Sequence, residues 1–151
     1  MLKIAVAQIN PTIGDITGNI AKHLEAARKA RMDGAELVVF PELSLTAYYP
    51  ADLLDDSDFQ ARLQAGAHDL TLASREVPDL YWVVGMPTRN AGPFGKHFHN
   101  SLVVLKNGQV ALTYHKQLLP TYNVFDERRH FEPGPDAVSY THLTLPTKRI
   151  V

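Results

Sequence analysis

Residues 3–40, KIAVAQINPTIGDITGNIAKHLEAARKARMDGAELVVF, carry the pattern that decides the fold. Lys3 to Ile9 is short and apolar, the signature of a buried strand. Asn10-Pro11 and Gly14-Asp15 break it. Asn19 then stands where a helix N-cap is expected, with Ile20, Leu24, Ala27 and Arg31 recurring at helical spacing after it. Ala26, Lys29 and Ala30 favour the helix further, and Gly34 ends it. Leu37-Val38-Val39-Phe40 reads as a second buried strand, stopped by Pro41. Strand, helix, strand in that order predicts a crossover unit with neighbouring strands.

The pattern continues outward. A turn-rich stretch runs from Pro41 to Pro50, and a second helix is expected over about Asp58 to Glu76. Phe59, Leu63, Ala67, Leu70 and Ala73 share one face of it, and Pro78 stops it. Tyr81 to Met86 is a third strand. Phe98 to Leu105 and Val110 to His115 are two more, joined by Lys106-Asn107-Gly108-Gln109, whose Asn-Gly pair is a strong hairpin signal. Beyond Lys116 no periodicity persists. The order β-α-β-α-β-β-β implies an α/β or layered α+β fold.

Composition bounds the function. The chain has 151 residues, enough for one ordinary domain, with 45% hydrophobic and 21% charged residues, a globular balance. A net charge of -1 and basic runs no longer than Arg128-Arg129 and Lys148-Arg149 give no footprint for nucleic acid or an anionic membrane. No apolar run is long enough to span a bilayer and no signal peptide is recognisable, so a cytoplasmic location is expected. The cysteine count is 0, which removes disulfides, zinc–thiolate sites and cysteine catalysis from these residues.

Two residues stand where α/β sheets place chemistry, beyond the ends of apolar strands. Glu42 follows Phe40-Pro41. Among Leu43, Leu45 and Tyr48 its carboxylate would be partly desolvated and a better base. A solvated loop glutamate or a helix-capping partner fits the same position. Lys116 follows His115 and could stabilise a developing oxyanion or acidify a nucleophile; a strand-end charge reaching water is the alternative. Tyr122 to Pro133, YNVFDERRHFEP, is either a surface loop laced with weak ion pairs or a substrate loop with an anchoring carboxylate. His97 and His99 alternate on a strand without a third ligand nearby, so they read as cross-strand surface groups, and no metal is expected. No phosphate-binding loop occurs.

Taken in order, AVAQINPTIGD, LVVFPELSLTAYYP, VVGMPTRN, HNSLVVLKNG and YHKQLLPTYNVFDERRHFEPG resemble the nitrilase, or carbon–nitrogen hydrolase, superfamily over about residues 2–136. Within it, YYPADLL and LLPTYNVFDERRHFEPG look most like the glutaminase domain of the glutamine-dependent NAD synthetases. Stand-alone amidases and nitrilases are the nearest rivals, and a nucleophile-less binding module is the non-enzymatic alternative. The resemblance implies a four-layer α-β-β-α sandwich, here truncated, and a Glu-Lys-Cys triad. Glu42 matches its base, Lys116 its lysine and Glu127 a second, supporting glutamate. Tyr122 matches a glutamine-binding position, with Tyr48 and Phe125 as pocket neighbours.

What the resemblance implies about partners follows. L-glutamine is the substrate, and ammonia passes through a channel to a C-terminal synthetase domain that uses ATP and Mg. The full-length protein is expected to be a homo-oligomer. No cofactor is expected in this fragment, which lacks the family's cysteine and is expected to be inactive alone. Residues 1–137 are assigned to the hydrolase domain. Val138 to Val151, opening with VSYTHL, reads as a non-native tail translated from a sequencing adapter, with a divergent strand as the alternative, and it is set aside from the fold.

Overall fold

The computed structural model describes residues 1–135, and the expected non-native tail from Val138 lies outside the described residues. The order of elements is the expected one: β1 (Ile4–Val6), α1 (Ile16–Met32), β2 (Leu37–Val39), α2 (Ser57–Ala73), β3 (Tyr81–Arg89), β4 (Phe98–Lys106) and β5 (Gln109–His115). Short 3₁₀ turns at Ala51–Asp55, Ser74–Glu76 and Glu127–Arg129 were not anticipated. The strands form one sheet in sequence order, parallel from β1 to β3 and antiparallel from β3 to β5. Both crossovers step the same way along the sheet, so right-handed connections place α1 and α2 on the same face, where they touch each other.

That shared face holds the core. Val38, Trp82, Val84, Val103 and Leu105 point into it from the sheet, and Phe59, Leu63 and Leu70 meet them from α2. Of the expected stripe of α2, Phe59, Leu63 and Leu70 are buried, with Gly66 beside them, while Ala67 and Ala73 are partly buried. α1 differs. Its buried positions are Ile16, Asn19, His23, Ala27 and Ala30, while Ile20 and Leu24 only flank the core and Arg31 is exposed. Two polar residues lie in the centre of the stripe, which a reading that follows apolar residues rotates away from.

Asn19 is not the N-cap. Asp15 caps α1, accepting the Gly18 N–H at 3.0 Å, and Asp56 caps α2, accepting the Phe59 N–H at 2.6 Å. Such caps contribute about 1 kcal/mol each. β1 is also shorter and wetter than expected. Ile4 and Val6 are 53% and 74% exposed, because they face away from the helices and nothing among the described residues covers that side. β3 is longer than expected and runs through Pro87. β2 has already ended opposite Val83, so a missing proline N–H breaks no ladder bond on that side. The β4–β5 turn follows the sequence signal: Asn107 and Gly108 have φ of 51° and 77°, the two positive values a type I′ turn needs.

Candidate active site

Glu42 sits in a loop that leaves the end of β2 and folds back across β3. The Phe40 N–H donates to the Val83 carbonyl at 2.9 Å and the Leu45 N–H to the Gly85 carbonyl at 3.2 Å. The crossing is close. A Cβ on Gly85 would lie 2.4 Å from the Leu43 nitrogen and 2.8 Å from the Pro41 carbonyl oxygen, so only glycine admits the loop there. From beneath, the polar stripe of α1 holds the loop. The Asn19 amide donates to the carbonyls of Thr12 at 2.8 Å and Leu45 at 3.0 Å, and accepts the Thr12 N–H at 2.8 Å. His23 donates from Nδ1 to the Asn19 carbonyl at 2.7 Å, which leaves Nε2 to accept the Ser44 hydroxyl at 2.8 Å. Burial lowers the His23 pKa to about 4 and keeps the ring neutral.

Lys116 follows β5 and joins the two glutamates. Its Nζ donates to Glu42 Oε1 at 2.8 Å and to Glu127 Oε1 at 3.1 Å. Partial burial works against its charge, but the hydrogen bonds to Glu42 and Glu127 outweigh that and raise its pKa above the ordinary lysine value. Glu127 opens the last 3₁₀ turn, and its side chain is only 1% exposed. A buried carboxylate needs donors, and among the described residues it has three: Lys116, the Tyr48 hydroxyl at 2.9 Å and the Asn100 amide at 3.3 Å. Desolvation, then the hydrogen bond to Glu127, pushes the Tyr48 hydroxyl well above the usual phenol range, so it stays a donor.

Asn100 was missed in the sequence. Its Nδ2 also donates to Glu42 Oε1 at 2.7 Å, so one amide ties both carboxylates together from the first part of β4. The signal was the polar run His99-Asn100-Ser101 inside an otherwise apolar strand. His99 likewise departs from expectation. It is buried, 6% exposed, donates from Nδ1 to the Glu132 carbonyl at 2.8 Å and stacks on His115 at 4.2 Å. His97 precedes the strand and is exposed.

Glu42, Lys116, Asn100 and Tyr114 border an apolar cleft of about 330 Å³ on the sheet face opposite the helices. A second, more open groove of about 630 Å³ meets it at Lys116 and contains Tyr122. The Glu42 side chain is 46% exposed, because this face of the sheet is open. Phe125 bridges the two expected pocket residues, with ring centroids 6.3 Å from Tyr48 and 5.7 Å from Tyr122. Tyr122 itself is 64% exposed and stands at the rim. A carboxylate at the mouth of an apolar cleft, with an ammonium 2.8 Å away, can take a proton from an incoming group while the ammonium holds developing negative charge.

Comparison with known proteins places this geometry in context. The sequence profile of the carbon–nitrogen hydrolase family matches residues 3–148. A glutamine-dependent NAD(+) synthetase from Acinetobacter baylyi is 38% identical over 141 residues, which cover 93% of this chain and 25% of that protein. The structure of a glutamine-dependent NAD+ synthetase from Acinetobacter baumannii superposes with a TM-score of 0.81 at 35% identity, covering 94% of this chain and 26% of that one. An amidase from Nesterenkonia sp. shares the fold, with a TM-score of 0.72 at 24% identity over 92% of this chain and 51% of the amidase. The chain thus spans about a quarter of the length of the curated relatives it matches.

Proposed function

The chain belongs to the carbon–nitrogen hydrolase family, and from that premise we propose that it supplies the base and lysine of a glutamine-hydrolysing site. The ammonia released there would amidate nicotinic acid adenine dinucleotide to NAD in an ATP- and Mg-dependent synthetase domain beyond this chain. The observation that carries the reading is the Glu42–Lys116–Glu127 constellation, closed by Asn100, at the mouth of a cleft. The glutamine-dependent synthetases at 35–38% identity support the choice of glutamine.

The chemistry requires a thiol from residues outside this chain, whose cysteine count is 0. Glu42 takes the thiol proton. The thiolate attacks the side-chain amide carbon, and the oxygen that becomes negative is held by Lys116. Glu42 returns the proton to the leaving nitrogen, the C–N bond breaks, and ammonia departs. Water, deprotonated by Glu42, then attacks the thioester and releases glutamate and the thiol. Glu127 keeps the Lys116 ammonium in place from its buried side. Tyr48, Phe125 and Tyr122 line the approach for glutamine.

By this account the isolated chain has no glutaminase activity, and the full protein is cytoplasmic and homo-oligomeric. No helix among the described residues is long and apolar enough to cross a membrane. Residues 138–151 are proposed to be non-native; reading the locus through should reveal a downstream cysteine, and a stop codon directly after Val151 would contradict this. The test of substrate is glutamate release from L-glutamine by the protein expressed from its complete reading frame. Hydrolysis of a different amide, with no glutamate formed from glutamine, would favour a stand-alone amidase instead.

A further inference from the structure

We propose that Asp52, Asp55 and His130 form a divalent-metal site, suited to Zn²⁺, that fastens the 51–55 turn to the segment carrying Glu127. The His130 side chain is 3% exposed, yet its Nε2 has no hydrogen-bond partner among the described residues. That nitrogen points between two carboxylates, 3.3 Å from Asp52 Oδ1 and 3.3 Å from Asp55 Oδ2. A charge-assisted N–H···O bond is about 2.7–2.9 Å long, so neither contact is a good one. Donor atoms around a tetrahedral zinc ion, each about 2.1 Å from the metal, stand about 3.4 Å apart. The two spacings from His130 match that, and the three ligand atoms lie within 4.8 Å of one another.

The other face of the ring fixes its orientation. The Tyr49 hydroxyl lies 2.7 Å from His130 Nδ1 and also donates to the Asp126 carbonyl at 3.2 Å. With its proton directed there, the hydroxyl can accept Nδ1–H, and in the tautomer that this hydrogen bond supports Nε2 carries the lone pair a metal needs. A cation seated between that lone pair and the two carboxylates would satisfy all three groups. A ligating histidine whose other ring nitrogen is held by a hydrogen bond is the usual arrangement at metal sites. Asp52 and Asp55 are 71% and 68% exposed, which leaves an open side for ion and water to enter. Arg129 Nη2 lies 3.1 Å from Asp52 Oδ1 and would remain as an outer partner of that carboxylate. One imidazole nitrogen and two carboxylate oxygens suit zinc better than calcium or magnesium, which take oxygen donors. The site escapes a reading by sequence spacing because its third ligand comes 75 residues after Asp55.

The test uses untagged, chelator-stripped protein from the complete reading frame, titrated with zinc sulfate by calorimetry and followed by thermal unfolding. One Zn²⁺ per chain should bind and raise Tm. The Asp52→Asn, Asp55→Asn double variant changes only exposed side chains. It should keep the circular dichroism spectrum and lose that affinity by at least the ~10–100-fold that removal of an outer-shell partner costs. Tyr49→Phe should weaken it within about that same range. Equal stoichiometry, affinity and Tm shift in the double variant and the parent would overturn the proposal, as would no zinc binding by the parent. Neither readout involves glutamine, so failure here leaves the proposed hydrolase site untouched.

Discussion

Asn100 donates from one amide nitrogen to both Glu42 and Glu127, and nothing else in the described residues spans the two carboxylates except Lys116. Asn100→Ala leaves the buried Glu127 carboxylate short of a donor, at a cost of about 1–3 kcal/mol. We expect glutamine turnover in the full-length protein to fall by roughly 10–100-fold, with ammonia-driven synthesis unaffected; unchanged glutamine kinetics would remove Asn100 from the site. His23 sets a pH dependence of a different kind. Its folded pKa, about 4, lies below the ordinary histidine value of 6.5, so the unfolded chain binds its proton first. Stability is then complete above pH 6.5 and falls as pH drops towards 4, by about 3 kcal/mol in all. Chemical denaturation of full-length protein between pH 7.5 and 4.5 should show that loss, and His23→Asn should flatten it. At this scale strand-end position marked Glu42 and Lys116 as candidates but fitted solvated charges equally, and only the family resemblance of the ordered motifs favoured the catalytic reading. Asn100, Asn19 and His23 were not, because a polar side chain inside an element shows its purpose only when its partner from a distant segment is known.

The elements were read more fully than the residues. The Asn107-Gly108 turn, the crossover order and the apolar stripe of α2 follow from local chemistry and stand as expected. Errors fell where tertiary contacts override local pattern. α1 buries a polar stripe because the Glu42 loop needs hydrogen-bond donors and acceptors beneath it. β3 extends past Met86 because β4 continues to pair with it. The same loop makes Gly85 indispensable, although in the sequence it is one glycine in a strand. Gly85→Ala forces a methyl against the backbone of residues 41–43. We expect about 1–3 kcal/mol of destabilisation together with a loss of glutamine turnover larger than the loss of ammonia-driven synthesis. A lowered Tm with normal glutamine kinetics would mean the loop adapts without moving Glu42.

For the whole molecule, the described sheet has helices on one face and an open cleft on the other. Ile4, Val6 and Leu102 lie on that open side, 53%, 74% and 37% exposed, beside the groups proposed to do chemistry. A sheet with one bare apolar face and free edges tends to aggregate. The isolated 151-residue chain should therefore self-associate and lack a cooperative thermal transition, whereas a sharp reversible melt would show that it is a complete folding unit. The bare face of the sheet could be anticipated only through the family resemblance, since β1 reads as a buried strand and its burial depends on what covers it. The central claim is that Glu42 and Lys116 serve glutamine and not the synthetase step. It is tested most directly by measuring NAD formation by full-length Glu42→Gln with glutamine and, separately, with ammonium as nitrogen donor. The account predicts that the glutamine-driven rate falls by about a hundredfold or more while the ammonium-driven rate stays within about twofold. Equal loss with both donors, or loss with neither, would contradict it.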